Sequence, residues 1–331
     1  MLTRNIPQIV IISPALAKAN NGNWQTARRW ARFLRQHYRV RIAAEWDGRQ
    51  IDAMVALHAR RSAASIAAFA AAQPDSPLVV VLTGTDLYRD IRTDADAQRS
   101  LQLATQLVLL QASGLQELAA DLRAKSQVIH QSTPPLKAVA PATPAARRQL
   151  QITMIGHLRE EKDPATFMRA AALVQAPQAR LIHIGGALEP GLGRLAEQTG
   201  QQESRYRWLG SLPHAIVRQR LKRSHLMVIS SRMEGGANVI IEAISSGVPI
   251  LASDISGNRG MLGDDYAGYF PLGDSRQLAR LIDRSITDPS FYALLQWQCA
   301  ARAPLFAPER EKTALLQLMD NLMATAKMPP Q

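Results

Sequence analysis

The chain has 331 residues, 47% of them hydrophobic and one of them cysteine, and its 39 Lys and Arg against 27 Asp and Glu give a formal charge of +12. That length supports roughly two domains with sizeable cores, while a single cysteine excludes an internal disulfide and a cysteine-built metal centre and fits a reducing cytoplasm. The basic excess asks for an acidic partner, but aromatics are only 5% of residues and no zinc finger, RNP-type strand or leucine zipper accompanies the charge. This argues against nucleic acid and leaves small phosphorylated molecules or an anionic membrane surface.

In chain order, the apolar run at 9–12 is too short for a signal segment or a membrane span and reads as a buried first strand. A helix at 23–36 follows, then strands at 40–44 and 54–57 and an Ala-rich helix at 62–72. The unbroken apolar stretch 77–82, Pro-Leu-Val-Val-Val-Leu, fits a parallel sheet covered on both faces. A helix and strand share 101–110, a helix is expected at 116–122 and a short strand at 126–129. Arg28, Arg29, Arg32 and Arg35 fall on one side of the first helix, as a solvated helical face would. Residues 133–144 contain four prolines and are expected to form an extended linker. The plan then restarts with a strand at 151–155, a helix at 164–174, a strand at 180–184 and further alternation through 282. Cys299 falls in a helical stretch and reads as core. The predicted fold class is α/β, with two Rossmann-like domains facing across a cleft: 1–132, a linker at 133–149, and 150–307. Ligands in such sheets sit outside the carboxyl ends of strands.

Four turns carry candidate chemistry. The first lies in Glu234-Gly235-Gly236-Ala237-Asn238-Val239-Ile-Ile-Glu242, a Gly-rich turn opening a helix between two carboxylates. The first amides of that helix and its dipole suit a diphosphate, Glu242 about one turn in can take ribose hydroxyls, and Glu234 stands where a sugar ring would lie. An ordinary strand-turn-helix element with two solvated glutamates has the same spacing. In Gly156-His157-Leu158-Arg159-Glu160-Glu161-Lys162-Asp163-Pro164, Arg159 and Lys162 can neutralise phosphates, with Asp163 and Pro164 as helix N-cap and N1. The loop with Lys18, Asn20, Asn21, Gly22 and Asn23, leading to Arg28, can cradle an anionic or hydroxylated group. Thr85 and Asp86, after the 77–82 strand, read either as simple caps or as part of the same cradle. Asp94-Ala-Asp96 reads as a cap rather than a metal motif, the seven histidines show no close metal-ligand pairing, and no Gly-x-Gly-x-x-Gly follows either first strand.

Taken together, Gly156 to Pro164, Trp208-Leu-Gly, and Glu234 and Glu242 with the trailing Ser-Ser-Gly-Val-Pro-Ile resemble the nucleotide-sugar domain of GT-B-fold retaining glycosyltransferases of family 4. The stretch from Ser13 through Asn-Asn-Gly-Asn-Trp-Gln-Thr-Ala-Arg-Arg-Trp, together with Leu-Thr-Gly-Thr-Asp-Leu-Tyr, is similar to the selenosugar synthases of selenoneine biosynthesis. The resemblance implies a UDP-sugar donor, either UDP-N-acetylglucosamine or UDP-glucose, and selenophosphate as acceptor, with no metal or cofactor. It implies catalytic roles for Glu234, Lys162 and Arg159, and donor binding by His157, Gly235, Gly236, Ala237, Asn238, Val239 and Glu242. Acceptor binding falls to Lys18, Asn20, Gly22, Asn23, Arg28, Thr85 and Asp86. It also implies a last helix at 308–326 that crosses back to the amino-terminal half. One departure stands out: the family usually has Arg directly after the strand-exit Gly, and here it is His157, so either Arg159 or His157 meets the phosphate. A peripheral-membrane glycosyltransferase with a lipid or oligosaccharide acceptor is the alternative.

Overall fold

The computed structural model describes residues 6–16, 22–134, 136 and 149–326. The chain divides into two compact units, Met1–Ser132 with Ala307–Gln331, and Thr133–Phe306. Most of the expected linker at 133–149 lies outside the described residues, as do Lys18 and Asn20.

The first unit is built on β1 (Gln8–Ile12), β2 (Arg39–Ala43), β3 (Ala53–Leu57), β4 (Leu78–Leu82), β5 (Gln106–Leu109) and β6 (Ser126–Val128), in the spatial order β2-β1-β3-β4-β5-β6. The paired strands run parallel. Strands β3 and β4 are buried along their whole length, because helices cover both faces. Ile9, Ile11, Val55, Leu57, Val79 and Val81 pack with the helix Gly22–Leu34 and the last helix, Pro308–Thr325. Their alternate neighbours Val10, Ile12, Met54, Ala56, Val80 and Leu82 pack with Ile66, Phe69, Ala97 and Leu101 on the opposite face. This is the strand period of two expressed as two cores. The last helix gives Leu315, Leu318, Met319 and Met323 to the first of them.

One expected helix is broken. Residues 116–122 divide between a 3-10 turn, Ala112–Glu117, and a short helix, Ala120–Ala124. The Gln111 side chain accepts from the Gly114 amide at 3.1 Å and starts the turn early, and buried Leu118 adopts an extended backbone between the two pieces. The Arg face of the first helix is also not wholly solvated, since Arg29 binds the buried Glu311. Asp94 does cap its helix, accepting from the Ala97 amide at 2.9 Å.

The second unit carries β7 (Leu150–Ile155), β8 (Ala179–Ile184), β9 (Tyr206–Trp208), β10 (Leu226–Ile229), β11 (Ile250–Ser253) and β12 (Tyr269–Phe270), in the order β12-β11-β10-β7-β8-β9 and again parallel. Both sheets are Rossmann-like. The chain leaves β7 toward β8 and β9 on one side, and returns to β10 on the other, so the order reverses between β7 and β10. In the first sheet it reverses between β1 and β3. The crevice outside the carboxyl ends of strands at such a reversal is where ligands bind in open α/β sheets.

Candidate functional site

Two turns meet at the β7/β10 reversal. After β10 the chain runs through Ser230 and Ser231 to Glu234, Gly235 and Gly236, and then enters the helix Asn238–Ile244. After β7 it passes Gly156, His157 and Arg159, makes a 3-10 turn over Glu160–Lys162, and enters the helix Pro164–Leu173. Ser230 fastens one turn to the other, its hydroxyl donating to the carbonyls of Lys162 at 3.0 Å and Asp163 at 2.9 Å. The Lys162 ammonium pairs with Glu234 Oε1, and that same oxygen accepts from the Ser231 hydroxyl at 2.6 Å. Lys162 and Glu234, 72 positions apart in sequence, thus form one partly buried charge pair at the reversal.

The helix Asn238–Ile244 begins with unclaimed donors. Its first amide with a backbone partner is that of Ile240, which donates to Ala237. The amides of Asn238 and Val239 donate to no described residue, as expected of a helix's first turn. Gly235 and Ala237 are buried, and Gly236, Asn238 and Val239 are partly exposed. A close approach holds the turn in place: a Cβ on Gly257 would overlap the Glu234 carbonyl oxygen. Glu242 is 7% exposed, and its Oε1 lies 2.6 Å from Nε2 of His214.

The His157 departure resolves in its environment. Nδ1 accepts from the Gly186 amide at 3.1 Å, which places the proton of the neutral ring on Nε2. Burial, helped by the Arg159 charge, holds the imidazole below the ordinary histidine pKa. His157 is therefore a neutral hydrogen-bond donor near pH 7 and does not supply the missing positive charge. The Arg159 guanidinium is 35% exposed, 3.8 Å from Glu161. Asp163 stands at the N-cap position, but its side chain accepts from no backbone amide of the helix. It adopts a left-handed conformation, φ 41°, and its carboxylate accepts from the Thr166 hydroxyl at 2.7 Å; Pro164 takes the first helical position as expected.

The glycine turn after β8 supports His157. A Cβ on Gly185 would overlap the Gly156 carbonyl oxygen. The indole N–H of Trp208 donates to the Gly185 carbonyl at 2.7 Å, which gives the Trp-Leu-Gly segment its place. Below them His183, fully buried, donates from Nε2 to the Gly156 carbonyl at 3.1 Å and accepts at Nδ1 from Tyr206, also at 3.1 Å. Burial pulls its pKa down to about 4.

In the first unit, Gly22 and Asn23 open the first helix, with Gly22 exposed and Asn23 partly so, and Arg28 is exposed. Thr85 is partly exposed, but Asp86 is fully buried. The Asp86 carboxylate accepts from the amides of Thr83 and Gly84 at 2.9 Å each and of Ala59 at 3.0 Å. It therefore holds the turn after β4 and has no face for an acceptor, which corrects the expectation of direct contact.

Two residues were not flagged by the sequence. His58 follows β3 at the other reversal in a left-handed conformation, φ 75°, a strained state for a side-chain-bearing residue. Its Nε2 is 3.0 Å from the Thr85 hydroxyl, and its ring stands within 4.0 Å of both Asp86 and Asp90. Burial keeps it below the usual histidine pKa against the pull of Asp86. His214 is the second. A lone histidine after an apolar strand, or one opening a basic helix, gives no sequence signal, because its partners lie 27 to 28 positions away. Among the described residues no group of three His, Cys, Asp or Glu could hold a metal ion, and no helix is long and apolar enough to cross a membrane.

Residues 140–302 match the family described as Glycosyl transferases group 1. The match covers just under half of the chain and falls almost wholly in the second unit, and the two Rossmann-like sheets are those of a GT-B fold. The chain is 28% identical over 138 residues to Glycosyltransferase 1 domain-containing protein 1 of Xenopus tropicalis, covering 41% of this chain and 40% of that protein. It is 26% identical over 162 residues to the UDP-Gal:alpha-D-GlcNAc-diphosphoundecaprenol alpha-1,3-galactosyltransferase of Escherichia coli, covering 46% and 40%. The matched region thus spans about two fifths of either curated relative. Among solved structures, Anabaena HepE in complex with UDP-glucose superposes with a TM-score of 0.77 at 16% identity, covering 95% of this chain and all of that one. The sucrose-phosphate synthase of Thermosynechococcus elongatus gives 0.74 at 17% identity, covering 96% and 100%.

Proposed function

We propose that the protein is a glycosyltransferase that takes its sugar from a UDP-sugar. The observation that carries this reading is the Lys162–Glu234 pair at the β7/β10 reversal, followed by the open amides of Asn238 and Val239 at the start of the helix that carries Glu242. The family match and the UDP-glucose named in the HepE complex support it. Breaking the bond between the anomeric carbon and the diphosphate oxygen leaves negative charge on that oxygen. The Lys162 ammonium and the two amides are fixed donors for that charge, and groups already oriented toward developing charge lower the barrier without reorganising. Glu234 faces the sugar hydroxyls, Glu242 the ribose, His157 gives one uncharged hydrogen bond to the phosphates, and Arg159 supplies the cation at their edge.

For the acceptor we propose selenophosphate: its selenium attacks the anomeric carbon, forming a C–Se bond as the C–O bond to UDP breaks, and water then cleaves the Se–P bond of the seleno-phosphorylated sugar to release phosphate and the 1-selenosugar, as in selenoneine biosynthesis. The support is the resemblance of the segments after β1 and β4. A selenium anion needs no general base, so Asn23, Arg28 and Thr85, with Lys18 and Asn20 of the preceding loop, would bind and orient it. The E. coli relative, whose name carries a diphosphoundecaprenol acceptor, favours a second reading with a lipid-linked acceptor. Incubation with UDP-N-acetylglucosamine or UDP-glucose and selenophosphate, followed by mass spectrometry, decides. UDP release that selenophosphate does not accelerate refutes the selenosugar reading, and product formed only with polyprenyl-diphosphate sugar establishes the second.

A further inference from the structure

Two of the buried carboxylates are satisfied from within the fold. Glu311, 1% exposed, accepts from Arg29 Nε through both oxygens, from the Trp30 indole at 2.7 Å, and from the Ser132 hydroxyl. Asp86 accepts from three backbone amides. An ionised carboxylate has about four acceptor positions, and these two have filled most of theirs. Glu242 is 7% exposed, yet its one partner among the described residues is His214, on Oε1 at 2.6 Å. Neither Glu242 oxygen is among the buried side-chain atoms without a partner, so the spare acceptor capacity is reachable from outside, where a ligand can donate to it. Hydroxyls are the donors that suit a carboxylate already holding one cationic or N–H partner.

The partner is itself well placed. His214 is the first residue of the helix His214–Lys222, whose Val217 and Leu221 are buried. Glu242 sits on the helix Asn238–Ile244 between buried Ile241 and Ala243. Core packing fixes both backbones, so the imidazole meets the carboxylate at a set angle. The His214 side chain is 40% exposed, so it does not complete the core.

We propose that His214 is a positioning residue for the nucleotide end of the donor: it pins Glu242 through Oε1 and turns Oε2 toward the ribose hydroxyls. The inference rests on the nucleotide-sugar reading above and adds to it the residue that orients the ribose contact. Outer partners of this kind fix the direction of the group that touches the ligand, as they do around metal sites.

The test is calorimetric titration of UDP into the full chain and into His214→Ala, His214→Gln, Glu242→Ala and the His214→Ala/Glu242→Ala pair, with melting temperatures for each. His214→Ala should weaken UDP about tenfold, a free-energy difference of one decade, with an unchanged melting temperature. His214→Gln, which keeps an N–H donor, should recover binding to within about threefold. Donor KM should rise in His214→Ala while kcat at saturating donor holds within about twofold, as for a contact made equally in ground and transition states. The pair should bind no more weakly than Glu242→Ala alone. Unchanged UDP affinity in His214→Ala, or losses in the pair that multiply, overturn the proposal. If Glu242→Ala loses UDP and His214→Ala does not, only the His214 inference falls. If the unaltered protein binds no UDP, the function proposed above falls with it.

Discussion

Replacing Glu311 by Gln tests the first unit's closure with little change of shape. The carboxylate lies at the start of the last helix and joins three separate segments: Arg29 and Trp30 on the first helix, and Ser132 at the end of the unit's first stretch. A glutamine side chain there would present one oxygen and one NH2, so at least one of these donors would face another donor. The Arg29 side chain, only 11% exposed, would be left as an uncompensated charge. Removing one partner of a buried ion pair costs about 3–5 kcal/mol, and a unit of this size loses about 2–4 °C per kcal/mol. The expected fall in the first unit's melting temperature is therefore roughly 10 °C. Hydrogen exchange should speed up in the helices Gly22–Leu34 and Pro308–Thr325 while that of β7, β8 and β10 stays as it was. A companion Arg29→Met/Glu311→Leu variant removes both charges and should lose less than Glu311→Gln alone. If Glu311→Gln melts within about 1 kcal/mol of the parent protein, or loosens both units equally, the buried charge is not what holds the last helix.

Three further outcomes are expected. Lys162→Ala and Glu242→Ala should each weaken UDP binding by about 1.5–3 kcal/mol, the range for a charge-assisted contact, with unchanged circular dichroism; unaltered calorimetric affinity in both removes the donor-site assignment. Gly185→Ala, whose Cβ would overlap the Gly156 carbonyl oxygen, should displace the His157 turn and abolish UDP binding, seen as loss of UDP-induced thermal stabilisation. His183 is held to about 4 by burial, below the unfolded value of about 6.5. As pH falls past the unfolded value the unfolded chain gains a proton that the folded chain refuses, so stability drops until pH reaches the folded value. The loss is about 3 kcal/mol, read as denaturant midpoints between about pH 7 and pH 4, and His183→Gln should flatten the slope.

What sequence reasoning could reach depended on whether a residue's role was set by its neighbours in the chain or by its neighbours in space. The unbroken apolar run at 77–82 foretells a parallel sheet covered on both faces, because only such a sheet buries every residue of the strand, and the restart after residue 149 foretells a second domain of the same plan. Glu234 and Glu242 were legible because a Gly-Gly turn and one helical turn separate them, a local geometry. Their partners were not, since Lys162 meets Glu234 across 72 positions and His214 meets Glu242 across 28. Asp86 shows the reverse error. A polar Thr-Gly-Thr-Asp segment at a strand exit looks like a ligand cradle, yet the carboxylate is spent on the amides of its own turn and of Ala59. The charge of His157 was undecidable from its neighbours in sequence, because the Gly186 amide that fixes its proton lies 29 positions away. The distinction also separates structure from function among the acids. A buried carboxylate whose acceptor positions are filled from within, as in Glu311 and Asp86, holds the fold. Glu242, whose one partner among the described residues is His214, keeps acceptor capacity to spare, and on the function proposed above that capacity serves a molecule that the chain itself does not supply.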